Sequence, residues 1–156
     1  MRCLLFLSLL LASLPEWSGF SAEAPPIRVL VWDEQQAEQK RAYDGGFLGE
    51  AIAAHLAKQP GFKVVSVNFA SPNQGLSDAE LDAAQVVIWW GHQKHALVET
   101  PRVEALVRRV LDGKLAYVGL HSEHWSRPFV RLMQERAKDD ARDRKSTRLN
   151  SSHTVI

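Results

Sequence analysis

The chain has 156 residues, 46% hydrophobic and 24% charged, with 9 Gly, 7 Pro and a formal net charge of +1. That balance excludes collagen-like, coiled-coil and disordered chains, each of which needs a strong compositional bias. It leaves room for one domain of ordinary size and gives no basic footprint for nucleic acid.

Met1-Arg2 precedes an apolar run over residues 3–12, and small residues follow over 19–24. A basic start, about ten apolar residues and a small-residue exit read as a secretory signal. The run is short of the about 20 residues that a membrane span needs; an uncleaved anchor is the alternative reading. Residues 1–22 are expected to be removed on export to the periplasm or beyond, leaving no membrane attachment. Cys3 is the one cysteine and leaves with them, so the mature chain holds neither a disulfide nor a thiol nucleophile.

From Ile27 the pattern alternates strand and helix. Residues 27–32 form a β-branched apolar run after Pro25-Pro26, which suits a buried strand. Leu48, Ile52 and Leu56 stand four apart and define a helix that Pro60-Gly61 stops. Residues 63–69 read as a second strand. Ser77-Asp78-Ala79-Glu80 has the spacing of a capping box opening a short helix. Residues 85–90 make a third strand. Thr100 as N-cap and Pro101 at the first helical position open a helix bearing Val103, Leu106, Val107 and Val110. Gly113 ends it, residues 115–120 form a fourth strand, and Ser126 and Pro128 open a last helix.

Such alternation predicts an α/β fold, a flavodoxin-like three-layer sandwich around a parallel sheet, over residues 27–143. Residues 134–145 hold nine charges in twelve and read as a solvated helix or frayed end. Residues 144–156 are expected to be a disordered or foreign tail. The run from Arg144 to His153 resembles read-through peptides, and the natural domain would then continue past about Asp143.

In such sheets ligands bind beyond the carboxyl ends of the strands. Asp33-Glu34, Gly91-His92 and His121-Ser122 stand there. Four histidines form two His-x-x-His pairs, His92/His95 after the third strand and His121/His124 after the fourth. Neighbouring strands lie about 4.8 Å apart, so both pairs project over one edge. Imidazoles meeting from two loops suit a divalent metal such as zinc, with Glu123 or Asp33 as oxygen ligand or general base. Direct sugar binding and metal-free proton transfer are the rival readings. Trp32, Trp89 and Trp90 end strands, and alternation sends Trp89 and Trp90 to opposite faces. Trp32, Trp90 and Trp125, with Ser122, are candidate sugar contacts, and packing beneath the loops is the alternative for the indoles.

Residues 87–92 (VIWWGH) with His95, and residues 120–126 (LHSEHWS), resemble signature stretches of the ThuA (trehalose utilisation) family. The strand over 28–34 and residues 74–78 (QGLSD) agree with it. The resemblance implies a class I glutamine amidotransferase-like fold, incomplete at the C-terminus, because family domains run longer. It also implies a role in disaccharide catabolism, acting on 3-keto-glycosides made by a partner sugar oxidoreductase. Glu123 stands where the family more often has a small residue, and export departs from the trehalose-degrading members. His121 occupies the nucleophile position where amidotransferases carry cysteine, so the thioester route is excluded. A phospho-acceptor receiver is excluded too, because Gly91-His92 stands where its aspartate belongs.

The leading expectation is an isomerase, lyase or hydrolase that transfers a proton next to a sugar carbonyl. His121 or a metal would polarise the carbonyl, and Asp33 or Glu34 would move the proton. The alternative is a carbohydrate-binding module without catalysis.

Overall fold

A computed structural model describes residues 24–151, apart from the side chains of Ser122 and of residues 146–151. The expected export signal, the last residues of the tail and His153 lie outside the described residues. Four strands, β1 (Ile27–Asp33), β2 (Phe62–Asn68), β3 (Val86–Trp90) and β4 (Ala116–Gly119), form one all-parallel sheet in the order β2-β1-β3-β4. Helices α1 (Leu48–Leu56), α2 (Asp78–Ala83), α3 (Thr100–Leu111) and α4 (Arg127–Ser151) make the connections and the final segment. The expected α/β architecture is present. Beginning the sheet at an inner strand and crossing outward both ways creates a reversal of strand order between β1 and β3, the point where such sheets open a crevice.

The alternation of β1 explains the layers. Leu30 and Trp32 point to one face, where they join Val67, Val87 and Trp89 and the apolar sides of α2 and α3, with Leu81, Leu106 and Val107 fully buried. Val29, Val31 and Asp33 point to the other face, toward α1. Trp32 and Trp89 stack with ring centroids 3.8 Å apart and planes 9° apart. Trp32 Nε1 donates to the Gln74 carbonyl at 2.8 Å.

Local signals act where the sequence places them. Ser77 Oγ accepts from Glu80 N at 3.2 Å, and Glu80 Oε2 accepts from Ser77 N at 2.9 Å. Ser126 Oγ accepts from Phe129 N and opens α4. One cap differs: α3 includes Thr100, and Glu99 is its extended N-cap residue. The Thr100 hydroxyl instead accepts from the Arg127 guanidinium, which ties α3 to α4. At the far end α4 runs to Ser151, into the stretch expected to be unstructured.

The turn Pro72–Gly75 is left-handed over three residues, with φ of 52° at Asn73, 57° at Gln74 and 68° at Gly75. Gln74 holds it by accepting from Glu99 N at 2.8 Å and by its carbonyl bond to Trp32. A methyl group at Gly75 would stand 2.8 Å from Val67 Cβ and 3.1 Å from the Asn68 carbonyl oxygen, on a backbone that L-residues rarely adopt. Gly75→Ala is therefore expected to destabilise the fold by about 2–4 kcal/mol, the overpacking and the strained φ adding. The denaturation midpoint reads it, and an unchanged midpoint would refute the close packing of this turn on β2.

Candidate functional site

The end of β1 delivers two buried carboxylates, each 1% exposed. Asp33 faces α1. Its Oδ2 accepts from Gly49 N at 2.6 Å and its Oδ1 from Gln35 N at 2.6 Å. Burial raises its pKa against these two donors, and the charges of Glu34 and Glu50 add to the rise. Gln35 takes a left-handed φ of 55°, which turns the chain away from the sheet.

Glu34 behaves oppositely. Its carboxylate accepts from the backbone N–H of Gln93 at 2.8 Å, Lys94 at 2.7 Å and His95 at 3.1 Å, and from the Gln36 side-chain amide. Burial alone would raise its pKa. The donors of Gln93, Gln36, His92 and Lys94 outweigh burial and hold it below the usual glutamate value. Glu34 thus fastens the loop after β3 to the end of β1.

On that loop His92 is exposed and His95 is buried at 4% exposure. His95 Nδ1 has no hydrogen-bond partner among the described residues. Burial lowers the His95 pKa, with the Glu34 charge opposing. His121 begins the short 3-10 turn His121–Trp125 after β4, is exposed, and adopts φ +42°. A left-handed non-glycine residue costs of order 1–3 kcal/mol and persists only where its surroundings enforce it. Here Leu120 N donates to the Trp89 carbonyl at 3.0 Å, and Glu123 lies directly against Gly119, where a Cβ would collide with its carboxylate. That carboxylate accepts from Tyr117 Oη at 2.9 Å and Ser126 Oγ at 3.1 Å. Burial raises the Tyr117 pKa.

The expected residues therefore separate. Glu34, His92 and His95 share one loop junction, and Glu123 lies near enough for its charge to reach His95. Asp33 and Trp90 are register partners on the α1 face, Trp90 half-buried. Trp32, expected to contact sugar, has no exposed surface and belongs to the core. Asp33 and Glu34, expected to move a proton, have their oxygens engaged by backbone donors. His124 lies on the surface with its ring 5.3 Å from that of Trp125. Trp125 lines a groove between α3 and α4 rather than the crest above β1 and β3. Among the described residues no three His, Cys, Asp or Glu side chains form a group able to hold a metal ion. The Ser122 side chain lies outside the description.

Tyr117 was not singled out by the sequence. The available signal was alternation, which puts Tyr117 and Gly119 on one face of β4, beneath the turn carrying Glu123.

No protein-family model matches the chain, and no curated protein matches it.

Glu34→Gln removes the anion and turns an NH2 group toward N–H donors. It is expected to cost about 2–4 kcal/mol and to speed amide exchange at Gln93, Lys94 and His95. The sign with pH follows from the lowered pKa. The Glu34 contribution is complete above 4.5 and is lost as pH falls through its folded value. Asp33, with a raised pKa, works the other way and loses stability as pH rises from 3.8 through its folded value. Melting curves against pH should show a shallower acid-side loss in Glu34→Gln than in the parent. Identical acid limbs would contradict the clamp.

Proposed function

We propose that this chain is an exported ThuA-like protein of carbohydrate catabolism, acting on 3-keto-glycosides or related disaccharides by proton transfer next to the carbonyl. The observation that carries the reading is the pair of exposed imidazoles, His92 and His121, on loops from adjacent strands above buried carboxylates. They leave the crest just beyond the last register pair, Trp89 with Gly119. Imidazole is the side chain whose ordinary titration falls in the physiological range, which suits it to both halves of a proton transfer.

In this scheme one imidazole takes the proton from the carbon beside the ketone. The C–H electron pair becomes a C=C bond, and the carbonyl π pair moves onto oxygen. Collapse of that enolate re-forms the ketone and expels the β-linked glycosidic oxygen, which takes a proton from the second, protonated imidazole. The products are an unsaturated keto sugar and a free alcohol, and water adding across the double bond completes hydrolysis. Glu34 holds the His92 loop in place, and Glu123 supports the His121 turn. Trp90 at the end of β3 offers an apolar edge to the sugar. A partner sugar oxidoreductase would supply the ketone.

The engagement of Asp33 and Glu34 by backbone donors favours one second reading, a carbohydrate-binding module with no turnover. The two separate in a single assay. A 3-keto-disaccharide is incubated with the chain in deuterated water, and NMR follows exchange at the carbon beside the ketone and release of free sugar. Turnover is expected in the parent, with a fall of about a hundredfold or more in His92→Ala and in His121→Ala. Bound sugar with neither exchange nor release would establish the module instead. Metal analysis of the same preparation, with turnover after chelation, decides whether an ion takes part.

A further inference from the structure

Trp125 is 72% exposed, whereas Trp32 and Trp89 have no exposed surface. Leaving an indole in water forgoes about 25 cal/mol for each Å² of apolar surface, so a single large exposed aromatic in a concavity points to a ligand. The concavity is a groove of about 280 Å³ between the N-terminal halves of α3 and α4. Val103 and Val130 give it apolar surface, and Thr100, Glu104, Arg131 and Gln134 give it polar surface.

Its guanidinium groups are already engaged. Arg131 Nε meets Glu104 Oε1 at 3.0 Å, and the same guanidinium binds Glu135. Arg127, also in the lining, donates to the Val98 carbonyl and the Thr100 hydroxyl. An anionic ligand would meet the Glu104 carboxylate and compete with it for Arg131, and an apolar side chain would take Glu104 and Gln134 from water with no new partner in exchange. The Gln134 amide is exposed in the groove wall. A neutral ligand with one apolar face and a rim of hydroxyls satisfies all of these groups, and the volume takes one ring.

We propose that the groove between α3 and α4 is a binding site for a neutral pyranose, with Trp125 as its stacking face and Glu104 and Gln134 as its hydroxyl partners. The site is separate from the histidine crest and does not depend on the chemistry proposed there.

The test uses the full chain with glucose and trehalose as probes, read by saturation-transfer NMR and titration. Saturation is expected on the ring C–H protons, with Trp125→Ala weakening binding about tenfold and Trp125→Tyr restoring most of it. Lys58→Ala, just beyond α1 and outside both sites, is expected to bind both sugars as the parent does, and turnover is read in the same variants, so loss of turnover at the crest and loss of binding in the groove are distinguishable. Circular dichroism checks each variant for folding. Failure of both sugars to bind the parent, unchanged binding in Trp125→Ala, or loss of binding in Lys58→Ala would each overturn the proposal. So would a concentration-dependent dimer that Trp125→Ala abolishes, since a second copy would then be the occupant.

Discussion

The Glu34 carboxylate joins the end of one strand to the loop after its neighbour, and the crest of the molecule is arranged around that junction. A buried anion without partners costs several kcal/mol in lost solvation, and loop N–H groups buried without acceptors cost almost as much. Placing the two together removes both penalties with three backbone bonds. The loop then has one path. It presents His92 to solvent, turns His95 inward and delivers the chain to Glu99 at the start of α3. A proton carrier has to exchange its partners during each cycle, so a carboxylate committed in this way is suited to holding geometry.

The second connection follows the same logic with different atoms. Glu123 reaches across Gly119 to the hydroxyls of Tyr117 and Ser126, so the turn after β4 is held from below by an anion. Ser126 also caps α4 through Phe129 N, which couples the His121 turn to the helix that walls the Trp125 groove. Crest and groove thus share one hydrogen-bonded support while facing different directions.

How much was readable beforehand depends on the range of the interaction. Apolar runs at residues 27–32 and 85–90 specify buried parallel strands because burial on both faces imposes continuous hydrophobicity, and the sheet follows them. Ser77 and Glu80 act within one turn, so their box was visible in four letters. Alternation assigned Trp89 and Trp90 to opposite faces, and one is in the core while the other is half-buried. The role of Glu34 was not visible, because its partners are backbone groups some sixty residues away that carry no sequence signature. The same holds for Thr100, whose hydroxyl meets an arginine from another helix instead of its own backbone. Four histidines stand at matching topological positions, and the chain exposes three of them and buries the fourth. His95 turns inward and His124 leans on an exposed indole, distinctions of side-chain direction that spacing does not encode.

The electrostatics of the crest favour one kind of charge. Glu34 and Glu123 are both buried near the loops that carry the histidines, and each accepts from several donors. A negative potential from below disfavours an oxyanion built directly on the β4 turn, which is what acyl transfer through a nucleophile at His121 would require. The enolate oxygen of the proposed reaction would then be stabilised from the solvent side of the crest, by the imidazolium itself, with the carboxylates behind it. In the proposed reaction the carboxylates hold the loops and the imidazoles on those loops meet the substrate, a division that serves removal of a carbon-bound proton rather than attack on a carbonyl.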